Sequence, residues 1–177
     1  MPDHALSVLD AARSGNWSAA SAAVSDVVAA WKTYGAGDVP RLVETLMART
    51  LRALSTAVDA RSSARASNAA IETARLAYDL QLRYRPVTEI DLARLDLWAA
   101  QLLVDEAAGN TDGVAADAFA MDYVRDRIWA ALDASDLARV NTELGEIQVA
   151  VVDEEPEAAA EAAGRLRDIL AGLEPVG

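Results

Sequence analysis

The stretch from Arg41 to Arg85 reads RLVETLMART LRALSTAVDA RSSARASNAA IETARLAYDL QLRYR, and it contains neither glycine nor proline. Its apolar residues recur at helical spacing through Leu42, Leu46, Leu51, Leu54 and Val58, which predicts an amphipathic helix with those side chains in the core. An unbroken helix over the whole stretch would be about 68 Å long at 1.5 Å per residue. Against that length, Asp59 through Ala70 holds no Leu, Ile, Val or aromatic residue, and Ser62-Ser63 sits where the other units turn. A helical hairpin turning near Ser62 is therefore the favoured reading.

The breaks on either side follow the same logic. Ser14-Gly15-Asn16, Gly35 through Pro40, Arg85-Pro86, Gly109 through Gly113, Ser135-Asp136 and Asp153 through Pro156 carry the helix-stopping and helix-starting residues, with helices expected between them. Asp38 followed by Pro40 reads as an N-cap with proline just inside the next helix, and Glu155-Pro156 reads similarly. Three segments open alike: Asp38-Val39-Pro40-Arg41-Leu42, Asp91-Leu92-Ala93-Arg94-Leu95 and Asp136-Leu137-Ala138-Arg139-Val140. In each, Asp can cap the helix while Arg, three residues on, lies above it on the same face.

The resulting fold class is all-α. One domain spanning 1–177 is expected, built from four tandem helical hairpins at approximately 3–35, 38–85, 89–131 and 136–173, as an antiparallel helical bundle or a short helical-repeat array. Abundant alanine with a single Phe and four Tyr favours close-packed helices over sheets. Leu92, Leu95, Trp98 and Leu102 form another helical stripe. Trp17 and Trp31 stand nearly four whole turns apart and read as core, as do Met47 and Met121.

The formal net charge of −12 repels a phosphate backbone, so no nucleic-acid partner is expected. No apolar run is long enough to span a membrane, and the opening residues lack the basic and apolar regions of a secretory leader. Cysteine is absent. The one histidine, His4, stands near a terminus, which leaves no histidine-based triad and no pair of Glu-x-x-His metal ligands. No glycine-rich phosphate loop or nucleophile elbow occurs. Gly109-Asn110-Thr111-Asp112-Gly113 lacks the spaced carboxylates of a calcium loop and reads as a helix end and turn. These observations predict no enzyme activity, no metal and no cofactor.

Charge is unevenly spread. Arg41 to Arg85 carries eight arginines against Glu44, Asp59, Glu72 and Asp79, while the chain from Asp105 onward is acidic. Two readings stand: the arginines pair with acids of neighbouring helices, or the basic hairpin docks an acidic surface on another protein or another copy. Arg61 and Arg65 are its candidate interaction residues. A second polar cluster, Asp79, Arg83, Tyr84, Arg85, Glu89, Asp91, Arg94 and Asp96, flanks the Pro86 turn. There Arg83, Tyr84, Arg85 and Arg94 are the candidates, either as an interhelical corner or as a holder of an anion or peptide carboxylate.

Gly15-Asn16-Trp17-Ser18-Ala19 with Trp31 downstream resembles a pattern of extracytoplasmic bacterial helical-hairpin proteins in which a Trp opens and closes one helix. Arg83-Tyr84-Arg85-Pro86 with Asp91-Leu92-Ala93-Arg94 and Asp96-Leu97-Trp98-Ala99 resembles small actinobacterial proteins. The resemblance implies an extracytoplasmic location if a leader has been removed, and the cytoplasm otherwise. It brings no mechanism and no functional residues. The function expected is a noncatalytic helical module that binds a protein or peptide; the alternative is an extracytoplasmic small-ligand or sensor bundle with Trp17, Trp31, Trp98 or Trp129 beside the ligand.

Overall fold

A computed structural model describes residues 1–35, 37 and 39–173. Eight α-helices are present among them: α1 (Pro2–Arg13), α2 (Trp17–Tyr34), α3 (Arg41–Asp59), α4 (Ser63–Gln81), α5 (Val87–Ala107), α6 (Thr111–Ile128), α7 (Ala134–Val152) and α8 (Pro156–Leu170). A short 3-10 turn, Trp129–Ala131, follows α6. The chain divides into two compact units, Met1–Gln81 and Leu82–Gly177. The all-α expectation holds, and so does the pairing of helices into hairpins.

Each unit has the same plan. In the first, α1 packs on α2 and α3 on α4, and α4 returns to α1. In the second, α5 packs on α6 and α7 on α8, and α8 returns to α5. The first and fourth helices thus close a four-helix unit around its own core. In the second unit that core includes Leu95, Leu102, Met121, Ile128, Leu144, Ile147 and Leu166. In the first, Leu9, Val27, Met47, Leu54 and Ile71 are buried. Ser63, at the start of α4, donates its hydroxyl to the Ala12 carbonyl at 3.0 Å and ties the fourth helix to the end of the first.

All four hairpins turn through one device. The residue after the helix cap adopts left-handed backbone, and its N–H and the next N–H return to carbonyls of the last helical turn, the Schellman pattern that satisfies otherwise orphaned acceptors. Gly15 and Gly109 supply the left-handed residue between α1 and α2 and between α5 and α6, with φ of 71° and 68°. Asn16 and Asn110 follow, and their side chains cap α2 and α6 by accepting from Ala19 N at 3.2 Å and Gly113 N at 3.1 Å. Between α3 and α4 the left-handed residue is Arg61, and between α7 and α8 it is Glu154. Ser62 N returns to Ala57 O at 3.0 Å and Glu155 N to Ala150 O at 2.8 Å. The hairpin reading of Arg41 to Arg85 is therefore correct, with its turn at Arg61.

Several local expectations are corrected. Leu42 is 71% exposed and Leu46 also reaches solvent, because α3 buries the side that carries Met47, Leu51, Leu54 and Val58 and both leucines lie to one flank of it. Asp91 and Asp136 do not cap. Pro86 sets the start of α5, which places Asp91 inside the helix. Asp133 caps α7 by accepting from Ser135 N and Asp136 N, both at 2.8 Å, so Ser135-Asp136 lies in the first turn and not in the break. Pro40 is the residue before α3 and not within it, and the cap assigned to Asp38 lies outside the described residues. Pro156 opens α8 as expected, with Glu155 at the cap position. Met47 and Met121 are fully buried, whereas Trp17, Trp31, Leu92 and Trp98 are only partly so.

Candidate functional sites

The arginines separate the two units. In the second, all but Arg83 meet carboxylates: Arg85 with Glu89 at 2.7 Å, Arg94 and Arg127 with Asp91 at 2.9 Å each, Arg125 with Asp126 at 2.9 Å, Arg139 with Asp136 at 3.2 Å, and Arg167 with Asp96 at 2.8 Å. Arg165 bridges Glu143, at 2.9 Å, and Glu146. In the first unit Arg75 pairs with Glu72 at 2.5 Å. Arg41, Arg49, Arg52, Arg61 and Arg65 are all exposed, and none forms an ion pair with a described residue.

Their placement follows from helical geometry. The core side of α3 is occupied by Met47, Leu51, Leu54 and Val58, which turns Arg41, Arg49 and Arg52 outward. Arg61 occupies the turn, and Arg65 stands in the first turn of α4. These last two cations sit at the positive end of the α4 dipole, an unfavourable position worth roughly 0.3–1 kcal/mol each. Beside them, α3 and α4 enclose an open groove of 570 Å³ lined by Thr50, Ala53, Thr56, Ala57 and Ala69, with Arg52, Arg65, Asn68 and Glu72 along it. The short side chains leave the groove open, and Arg52 and Arg65 outnumber Glu72 along it.

The cluster predicted around Pro86 does not converge on one ligand. Arg85 Nε and Nη2 both donate to Glu89 Oε2, at 3.0 and 2.7 Å. Arg94 turns to Asp91, and Asp96 is taken by Arg167 of α8. Arg83 and Tyr84 are exposed in the turn before Pro86. Arg61 and Arg65 belong to the first unit and Arg83, Tyr84, Arg85 and Arg94 to the second.

A second candidate lies between α5 and α6. Asp91, 2% exposed, accepts from Arg94 Nη1 through Oδ1 and from Arg127 Nε through Oδ2. Over this clamp is a cleft of 370 Å³ bordered by Trp98, Phe119, Tyr123 and Val124. Phe119 and Tyr123 are 76% and 65% exposed, one turn apart on α6. Sequence reading missed both. The available signal was their position off the stripe of Val114, Ala118 and Met121 that α6 buries.

Asp122, also on α6, accepts from Gln148 Nε2 of α7 at 2.9 Å. Partial burial raises its pKa above the usual carboxylate value; Arg125 opposes that shift and Asp126 adds to it. No group of three or more His, Cys, Asp or Glu among the described residues is arranged to hold a metal ion. No helix among the described residues is long and apolar enough to cross a membrane. What these surfaces offer is charge, hydrogen-bond donors and exposed apolar area. No family model, curated protein or solved structure matches the chain.

Proposed function

We propose that this chain is a noncatalytic helical module that binds another protein through the arginine face of its α3–α4 hairpin. The observation that carries the reading is the set Arg41, Arg49, Arg52, Arg61 and Arg65, exposed and without an ion pair among the described residues, in a chain of net charge −12. All the arginines of the second unit except Arg83 are engaged by acids, whereas five exposed arginines without an ion pair gather on the one α3–α4 hairpin. The groove beside it is shaped for an amphipathic helix or extended segment with acidic side chains. The charges would steer encounter and fix orientation, while the short side chains of the groove allow close approach. An extracytoplasmic setting, favoured by the resemblance to bacterial helical-hairpin proteins, is part of this proposal.

The test is titration of a fluorescently labelled synthetic amphipathic helix bearing glutamates along one face. Binding is expected to weaken at high salt and to fall by roughly tenfold or more in Arg52→Glu/Arg65→Glu, equivalent to at least about 1.4 kcal/mol. Absence of binding at low salt, or affinity that the double substitution leaves unchanged, rejects the reading.

A second reading rests on Trp98 bordering the α5–α6 cleft beside Arg94 and Arg127. That lining suits a small aromatic anion, its ring against Trp98 or Tyr123 and its carboxylate toward Arg127. Titration with benzoate, followed through the Trp98 indole NMR signal, tests it; an unmoved signal at saturating benzoate removes it.

A further inference from the structure

We infer that the acidic surface docked by the α3–α4 face is the α7–α8 face of a second copy of this chain. This rests on the protein-binding reading above and names its partner.

The two hairpins are equivalent elements of two units built on one plan. Both α3 and α7 have 19 residues, and both hairpins turn at a left-handed residue that is not glycine. Counted from that turn, the groove positions correspond, and the two grooves carry opposite charge, mostly at different positions. Arg52 is matched by Gly145 and Ala53 by Glu146; Arg65 is matched by Ala158 and Asn68 by Glu161. Even the minority charge is exchanged, Glu72 for Arg165, and in each groove it is held by its own neighbours: Arg75 for Glu72, and Glu143 with Glu146 for Arg165. The turn residues invert as well, Arg61 against Glu154.

The grooves are similar in size, 570 Å³ and 620 Å³, and one is rimmed by cations while the other carries Glu146, Glu155 and Glu161. Glu154, Glu155 and Glu161 are exposed and form no ion pair with a described residue, mirroring Arg52, Arg61 and Arg65. Each face also exposes apolar side chains. Leu42 and Leu46 lie in the first half of α3, and Val149 and Val152 near the end of α7. An antiparallel approach of α3 to α7 sets Leu46 across from Val149 and Leu42 across from Val152, and brings Arg49 toward Glu146. Apolar then meets apolar, and cation meets anion, in one register.

Such a contact joins two different patches, so each copy has one donor face and one acceptor face. Association is head-to-tail, and it grows into chains or closes into a ring according to the rotation between copies. Because both faces are charged and exposed, it is strongest at low ionic strength and weakens as the Debye length contracts.

The experiment is sedimentation velocity of the full chain over a range of concentration and salt, with Arg52→Glu/Arg65→Glu and Glu155→Lys/Glu161→Lys as two variants. All four positions are exposed or at a helix cap without a side-chain bond, and circular dichroism checks that both variants remain helical. The wild type is expected to form oligomers at low salt and to dissociate at high salt, each variant alone to remain monomeric, and an equimolar mixture of the two to recover oligomers, because the reversed faces complement each other. A wild type that stays monomeric throughout, or oligomers that neither variant disrupts, overturns the inference. If the monomeric wild type still binds the glutamate-bearing helix through Arg52 and Arg65, the inference alone falls; if it binds neither, the protein-binding reading falls with it.

Discussion

Arg61 and Glu154 hold equivalent turns in the two units and both adopt left-handed backbone, with φ of 50° and 57°. Glycine occupies that conformation at Gly15 and Gly109, where the chain uses it freely. For a residue with a Cβ the same conformation costs roughly 1–2 kcal/mol. Replacing Arg61 or Glu154 with Gly is therefore expected to stabilise its unit by roughly 0.5–1 kcal/mol, the gain being reduced by the greater freedom of glycine in the unfolded chain. Urea midpoints of the two variants check this. For Arg61→Gly the stability gain is expected to accompany weaker binding of an acidic partner, which separates a functional cation from a merely tolerated one.

The Asp91 clamp predicts an asymmetry between its partners. Removing both cations with Arg94→Ala/Arg127→Ala leaves a buried carboxylate unpaired, and a cost of about 3–5 kcal/mol is expected. Asp91→Ala returns two partly exposed arginines to water and is expected to cost only about 1–2 kcal/mol. Equal costs in denaturant unfolding would contradict the burial difference between the partners.

Core and flank leucines of one helix should respond differently. Leu54→Ala in α3 opens a cavity at a fully buried site and is expected to cost about 2–5 kcal/mol. Leu42→Ala, on the exposed flank, is expected to change stability by less than about 0.5 kcal/mol. Chemical denaturation of the two variants distinguishes the buried stripe of α3 from its outward face.

Asp122 gives a pH dependence of definite sign. Its folded pKa is raised chiefly by burial, so between the usual carboxylate value and the raised one the folded state binds more protons than the unfolded state. The contribution of Asp122 to stability therefore improves as pH falls through the folded pKa, and worsens as pH rises. Asp122→Asn, which keeps an oxygen for Gln148, is expected to remove this contribution and to be more stable than wild type at neutral pH. The difference between the two proteins in urea midpoint across an acid pH series checks it.

The turns at Gly15-Asn16 and Gly109-Asn110 were legible because their chemistry is local: glycine permits the left-handed residue and asparagine caps the next helix. The turns at Arg61 and Glu154 lack glycine, and only the absence of large apolar residues before Ala70 and the presence of Pro156 marked them. The shared Asp-x-x-Arg spelling misled, because a capping Asp and a mid-helix Asp paired with Arg three residues on look alike in sequence. The structure shows the pairing for Asp91 with Arg94 and for Asp136 with Arg139. Correspondence between the two units was hidden for a related reason. What they share is helix length and turn geometry, while the residues at matching positions differ, with charge reversed at Arg61 and Glu154 and at Glu72 and Arg165.

Of the candidate residues, Arg61 and Arg65 were visible as part of a charge imbalance, but composition does not tell a paired arginine from an unpaired one. That distinction depends on which acids the fold brings within reach. Phe119 and Tyr123 escaped notice because aromatic residues at helical spacing ordinarily read as core, and their exposure depends on which face of α6 is turned inward.

The most direct test of the arginine face is an NMR titration of the isotopically labelled chain with the glutamate-bearing helix, read at the arginine side-chain Nε–H signals. The account predicts that Arg49, Arg52, Arg61 and Arg65 shift together and saturably, while Arg94, Arg127, Arg165 and Arg167, already engaged by carboxylates, stay in place. Shifts confined to Arg94 and Arg127, or none among the α3–α4 arginines, would contradict it.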